Sequence, residues 1–195
     1  MTDIVDSRDV AAWFICLAAD EGRPLTRMPL QKLVTLAQSM YGYQTLDKLF
    51  DESVYAFKYG PVTLGVRQTY GDSGRKPILE PRTKLRSLPD DKMDAVAELW
   101  SLCSDVTNKL VNVTHQTGPW GKYHKENTNF TVIPWDEFVD AWPAYENMIL
   151  SLKKNRHPEI DRTPGNFMLP ESEFGKYDRQ IMKAQQHAYA APLSR

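Results

Sequence analysis

The chain has 195 residues, of which 42% are hydrophobic and 25% are charged, and these are ordinary values for a folded globular protein. Its formal net charge of −1 excludes a global electrostatic attraction to nucleic acid or to an acidic membrane. Cys16 and Cys103 lie far apart and outside any Cys-x-x-Cys pair, a pattern that fits reduced thiols better than a disulfide framework or a zinc ribbon.

The spacing of apolar residues predicts a first helix that begins with a cap at Ser7 and stops at Gly22. Its flanks are acidic and carry no basic leader, so this stretch does not look like a signal peptide. No apolar run in the sequence is long enough to span a bilayer. We therefore expect a cytoplasmic protein without a membrane partner.

The clearest predicted helix begins at Thr26 or Arg27, ahead of Pro29, and ends at Gly42. Its apolar stripe consists of Leu30, Leu33, Val34, Ala37, Met40 and Tyr41. This stripe should pack in the core, and Leu30 and Leu33 are predicted to be structural residues.

A strand and a sharp corner are predicted next. Alternating side chains over 52–59 favour a short strand. Pro61 fits the first turn of a helix that continues to Tyr70 and leaves through 71–74. We expect Gly60 to permit a backbone angle or a close approach that a side chain would forbid.

The second half of the sequence alternates loops and helices. Three prolines predict a loop over 75–89, and apolar spacing predicts helices over 89–103 and 106–118. A short turn should follow from Trp120. Pro134 is predicted to open a further helix that Pro143 kinks or divides.

The character of the sequence changes after Lys153, where a polar, turn-rich linker begins. From Ser172, apolar residues at helical spacing predict an amphipathic terminal helix. We therefore predict a mainly α fold with a small amount of β structure (α+β). The predicted division is a domain over 1–152 and a linker with a C-terminal helix over 153–195.

Chemical motifs are few in this sequence. It contains no Walker loop, no His-Glu-x-x-His, no Gly-x-Ser-x-Gly and no EF-hand loop. The suggestive cluster consists of His115, Trp120, His124 and Glu126. Its spacing matches no standard metal-ligand pattern, and Cys103, His115 and Asp105 form a catalytic triad only if the fold brings them together. We predict no enzyme, no cofactor and no metal, and we expect His115 to hold a helix end beside Trp120.

The most basic segment lies in the predicted loop over 75–89. Its cations are Arg75, Lys76, Arg82, Lys84 and Arg86, against the single acidic residue Glu80. Such a segment can bind RNA or an acidic protein face. No aromatic residues alternate with these charges as stacking platforms, so we expect a solvated loop and no nucleic-acid partner.

Three segments follow one another in a distinctive order. They are MPLQKLVTLAQSMYGY, LFDESVYAFKYGPVTLGVRQTY and LVNVTHQTGPWGKYHKENTNFTVIPWDEF. They contain a Leu-Gln-Lys-Leu helix, an acidic and aromatic segment that ends in Tyr-Gly-Pro-Val, and a Thr-His…Trp element before Ile133 and Pro134. Together, from Ala11 to about Leu150, they resemble the Panacea domain, the antitoxin domain of many toxin–antitoxin operons that also occurs in phage-associated GepA and SocA-type proteins.

The resemblance implies a mainly helical, non-catalytic domain that neutralises a cognate protein toxin by direct contact, as in a type II-like toxin–antitoxin pair. The toxin is expected to be encoded by an adjacent gene. SocA-type members imply an alternative in which the chain is an adaptor that delivers the toxin to the protease ClpXP. A homodimer formed through the terminal helix is a further candidate. The rival functions are an enzyme centred on Cys103 or His115 and a nucleic-acid-binding regulator.

The partner-binding hypothesis concerns the predicted corner at Gly60. The predicted contact residues are Gln31, Lys32, Lys58, Tyr59, Gly60, Pro61 and Trp120. The predicted structural residues are Leu30, Leu33, His115 and Trp120. A purely structural role for the whole corner fits the sequence equally well, because aromatic and apolar residues at such a corner normally serve packing.

Overall fold

The computed structural model describes residues 5–125 and 130–154, and these are mainly helical. The helices are α1 (Ser7–Asp20), α2 (Arg27–Thr45), α3 (Leu64–Tyr70), α4 (Asp90–Cys103), α5 (Leu110–Gln116), α6 (Trp120–Tyr123), α7 (Trp135–Asp140) and α8 (Trp142–Lys154). The strands β1 (Tyr55–Phe57) and β2 (Gly60–Val62) form an antiparallel hairpin. The prediction of a mainly α fold with a small amount of β structure is confirmed.

Helix α2 is the centre of the core. It contacts α1, α4, α5, α7, α8 and β2, and every residue over 30–42 is buried. Because the helix is enclosed, its polar side chains must find partners inside the protein. Gln38 exchanges two hydrogen bonds with the main chain of Phe50, and Ser39 donates to the carbonyl oxygen of Phe138 at 2.7 Å.

Two helix boundaries differ from the predictions. The cap of α1 is Asp6, which forms a capping box with Asp9, whereas Ser7 donates to the Glu52 carboxylate at 2.8 Å. Helix α2 passes through Gly42 and ends at Thr45. A glycine is needed inside this helix because a Cβ atom there would lie 2.7 Å from the ring of Trp135.

The second half follows the predictions more closely. The loop over 75–89 is confirmed apart from an isolated bridge between Ile78 and Leu25, and α4 begins directly after Pro89. The predicted helix over 106–118 is a 3₁₀ segment, Ser104–Lys109, followed by α5. Helices α7 and α8 meet at Ala141, which confirms the division expected at Pro143.

Helix α8 runs to Lys154, just beyond the predicted domain end at residue 152. The predicted linker and the terminal helix from Ser172 lie outside the described residues. No helix within the described ranges combines the length and the apolar character that a membrane crossing requires.

Candidate functional site

The predicted corner is the turn of the β1–β2 hairpin, so the prediction that Pro61 opens a helix is wrong. Phe57 pairs with Gly60, and Ala56 pairs with Pro61. Ala56 donates its N–H to the carbonyl of Thr131 on its other side, so this pair does not need the N–H that proline lacks. The following helix, α3, begins only at Leu64.

Gly60 is the residue of this turn that has a positive φ angle. Its φ is +97°, whereas Lys58 and Tyr59 both keep negative φ values, as in a turn followed by a glycine bulge. A Cβ atom on Gly60 would also lie 2.7 Å from Nζ of Lys32 and 2.9 Å from Oγ1 of Thr114. The expectation of an unusual angle or a close approach is confirmed, since both occur here.

Only two of the predicted contact residues are fully available to a partner. Lys58 and Tyr59 are exposed at the tip of the hairpin, with 55% of Tyr59 accessible and the Lys58 amine over its ring. Trp120 is half-buried. The others, Gln31, Lys32, Gly60 and Pro61, are buried. Side chains enclosed in this way offer no surface to a partner, so the direct-contact role predicted for those four does not fit the structure.

Lys32 supports the hairpin from below. Its side chain is fully buried, and Nζ donates to the carbonyl oxygen of Pro61 at 2.7 Å. Burial lowers the pKa of Lys32 to about 7, because desolvation disfavours the charged amine. On the preceding residue, Gln31 donates through Nε2 to Thr63 at 3.0 Å. Both side chains therefore position β2 and the segment that leads into α3.

A second support comes from a stack of three rings. The His115 ring lies 3.9 Å from the ring of Trp120, and His124 stacks at 4.9 Å. The indole Nε1 of Trp120 donates to the carbonyl oxygen of Phe57 at 2.8 Å. Burial lowers the pKa of His115, and a backbone hydrogen bond with Tyr59 acts in the opposite direction. The stack therefore fastens the hairpin from the side of α5 and α6.

An aromatic face lies on the outer side of the hairpin; we define it as Tyr55, Phe57, Phe130 and Val132. Phe57 is buried and Tyr55 is half-buried, so the other two form the exposed part of this face. Tyr55 bridges to Val132, and Ile133 donates its N–H to the carbonyl of Val54, so the segment over 131–133 lies against the outer edge of β1 through an isolated bridge. Phe130 is 70% exposed, and its ring meets Tyr55 and Phe57 edge to face at 6.4 and 5.6 Å. Val132 is exposed as well.

The sequence predictions missed Phe130, Val132 and Arg67. The guanidinium of Arg67 lies 4.8 Å from the centre of the Phe57 ring and covers it from α3. The alternation of Phe130-Thr131-Val132-Ile133 is typical of a strand and could have identified the first two. No local pattern identifies Arg67, because its place depends on how α3 packs beside β1.

The groups considered for catalysis or metal binding are engaged elsewhere. Burial raises the pKa of the Cys103 thiol to about 12, which disfavours the thiolate that a nucleophile requires. Asp105 pairs with Arg23 at 2.9 Å. Glu126 lies outside the described residues. Within residues 5–125 and 130–154, no three His, Cys, Asp or Glu side chains are grouped so as to hold a metal ion.

The basic segment is partly neutralised by the protein itself. Arg82 forms an ion pair with Asp72 and donates to Ser73 at 3.0 Å. Nε of Arg86 lies 4.0 Å from the carboxylate of Asp9. The loop is therefore less basic as a surface than as a sequence, in line with the expectation of a solvated loop.

Comparisons of the chain with protein-family models, with curated proteins and with solved structures give no match. The case for function therefore depends on the surface geometry and on the sequence resemblance.

Proposed function

We propose that this chain is an antitoxin that neutralises a cognate protein toxin by direct binding through the aromatic face and the hairpin tip, defined as Lys58 and Tyr59. The observation that carries the proposal is the exposure of Tyr59 on the supported hairpin and of Phe130 and Val132 on the segment beside it. Large apolar side chains grouped at a surface are typical of protein interaction sites. The resemblance to the Panacea domain supplies the class of partner.

The rigidity of this surface supports the proposal. Lys32 and Trp120 each donate a hydrogen bond to a hairpin carbonyl, from two different helices. Because the hairpin is already held in place, a partner would not have to pay the entropy of ordering it. Aromatic side chains that are fixed before binding make effective anchors of protein interfaces.

The mechanism that we propose is occlusion of the toxin's active or target-binding surface, with delivery of the toxin to ClpXP as the alternative. A homodimer is a competing occupant of the same face. The gene of the toxin would lie next to the gene of this chain, and we propose that the complex forms in the cytoplasm.

The first test is co-expression of the full chain with the product of the adjacent reading frame, with bacterial growth and pull-down as readouts. We expect restored growth and a stable complex. Tyr59→Ala and Phe130→Ala should each weaken the complex by about tenfold, the effect of losing an interface anchor of more than about 1 kcal/mol. Tyr43→Ala is the matched control, because Tyr43 is 48% exposed but lies on α2, away from the hairpin.

Three outcomes would change the proposal. If co-expression neither restores growth nor gives a complex, the antitoxin function is contradicted. An equal loss of binding in Tyr43→Ala would contradict the assigned surface. Rescue that disappears in cells without ClpXP, while the complex still forms, would favour the adaptor mechanism over occlusion.

A further inference from the structure

A pocket adjoins the aromatic face where α2, β2 and α3 meet. Its apolar wall is formed by Met28, Val62, Val66 and Tyr70. Its volume is about 40 Å³, far below the range of about 300–1,000 Å³ for ligand pockets. A depression of this size has no room for an enclosed ligand or cofactor, but it can receive the tip of one apolar side chain of a larger partner.

Two arginines flank this pocket and are already held in place. Nη1 of Arg27 donates to the carbonyl oxygen of Gly71 at 2.8 Å. The guanidinium of Arg67 lies on the ring of Phe57, 4.8 Å from its centre. Arginines whose planar groups are fixed in this way are suited to bind carboxylates through paired hydrogen bonds.

These two arginines have no acidic partner in the part of the chain that the structure describes. Three other arginines do have one: Arg8 pairs with Asp6, Arg23 with Asp105, and Arg82 with Asp72. Among the described residues, no carboxylate lies within ion-pair distance of Arg27 or Arg67, and no acidic residue lines the pocket. The pocket thus combines an apolar wall with two uncompensated positive charges.

We propose that this pocket binds an acidic segment of the partner protein, with the tip of one aliphatic or aromatic side chain against Met28, the half-buried member of the apolar wall, and flanking carboxylates on Arg27 and Arg67. This inference rests on the proposed function in taking that partner to be the toxin. The charge complementarity selects Asp or Glu beside the apolar anchor. Since Arg67 lines the pocket and also lies on the ring of Phe57, the pocket adjoins the aromatic face and one partner can cover both.

The test is a titration of the full ¹⁵N-labelled chain with three synthetic hexapeptides, followed by NMR. The first is Glu-Glu-Leu-Phe-Glu-Glu, the second has Lys in place of each Glu, and the third has Ser in place of Leu and Phe. We expect the first alone to shift the amide signals of Val66, Arg67 and Tyr70 in a saturable manner. The second lacks the carboxylates, and the third lacks the apolar anchor.

Variants test the assignment of charge. Arg67→Glu should weaken binding of the first peptide by at least about tenfold, the cost of losing a charge-assisted contact. Arg67→Lys should weaken it less, because it keeps the charge without the paired donors. Arg75→Glu is the matched control, since Arg75 is exposed, lies outside the pocket and changes the net charge equally. It should bind the peptide like the unmodified chain.

Equal binding of the lysine peptide, or an equal loss in Arg75→Glu, would overturn the proposal. Shifts confined to the groove over 72–82, or tighter binding of oligouridylate than of the acidic peptide, would overturn it too. The growth test remains separate. Rescue by Arg67→Glu at the level of the unmodified chain would leave the antitoxin function standing without this pocket, and peptide binding without any rescue would leave the pocket standing without the antitoxin function.

Discussion

The helical core and the hairpin corner both bury polar side chains from α2, but they do so differently. In the core, the Gln38 amide both donates to and accepts from the main chain of Phe50, so its nitrogen and its oxygen each have a partner. At the corner, Lys32 presents its amine to the single carbonyl of Pro61, and no described carboxylate forms an ion pair with it. The core is thus stabilised mainly by packing, whereas the corner depends on a few directed contacts.

This difference matters for function because the corner carries the surface to which we assign partner binding. Packing spreads its free energy over many contacts, so one change in the core is partly absorbed by its neighbours. The hairpin instead depends on Gly60, Lys32 and Trp120. Changes at these three residues should therefore affect both stability and binding, and they give the sharpest tests of the comparison.

The largest effect is expected from Gly60→Ala. An alanine would have to adopt φ +97°, and its Cβ atom would displace Lys32 and Thr114. Backbone strain and overpacking together should lower the free energy of unfolding by about 2–5 kcal/mol, measured by urea denaturation.

The matched control for this change is Gly71→Ala. Gly71 has a helical φ of −61°, and no atom lies within 4 Å of the position of its added Cβ. Its unfolding free energy should stay within about 0.5 kcal/mol of the unmodified chain. Equal destabilisation by the two variants would show that the corner does not depend on the tight approach at Gly60.

The same contrast explains what the sequence could reveal about the fold. Helices α2 and α4 are predictable because their apolar residues recur at the helical period. The role of Pro61 is not, since the φ fixed by its ring is compatible with the first turn of a helix and with a short strand. What decides between them is the pairing of Phe57 with Gly60, together with the hydrogen bond that Ala56 donates to Thr131, a residue far away in the sequence.

The candidate site was predictable only in part for a related reason. The exposed tip, Lys58 and Tyr59, was identified because it flanks a glycine and proline turn. The prediction of Lys32 as a contact residue depends on its expected place near the corner, and lysines are usually exposed. Its burial follows from the number of elements that surround α2, and periodicity within a single helix carries no information about that number.

The next effect is a pH dependence caused by Lys32. Its pKa is about 7 in the folded protein and near the ordinary value of 10.5 when unfolded. Between these two pKa values the unfolded chain binds more protons than the folded protein, so the free energy of unfolding should rise with pH. At 1.36 kcal/mol per pKa unit, the gain from pH 7 to pH 9 should approach about 2 kcal/mol.

Urea denaturation at the two pH values measures this gain. Lys32→Met should lack it, whereas Lys84→Met, which changes an exposed lysine, should retain it. Contributions from other titrating groups are common to all three proteins and cancel in the comparison. If Lys32→Met gains as much stability between the two pH values as the unmodified chain, the amine of Lys32 keeps its ordinary pKa in the folded protein.

The smallest predicted effect compares two indoles. Trp120→Phe keeps a ring against His115 but removes the donor to the carbonyl of Phe57. Because that site is partly buried, the loss should lower the free energy of unfolding by about 1 kcal/mol. Trp13→Phe removes a hydrogen bond of the same length, 2.8 Å, from α1 to the carbonyl of Arg86. That site is exposed and water can replace the indole, so the free energy of unfolding should fall by less than about 0.5 kcal/mol. Urea denaturation measures both, and pull-down of the partner adds a second readout. Only Trp120→Phe should weaken the complex, because only that bond holds the hairpin. Equal loss of binding in the two variants would mean that the bond at the corner matters no more for binding than an exposed bond on α1.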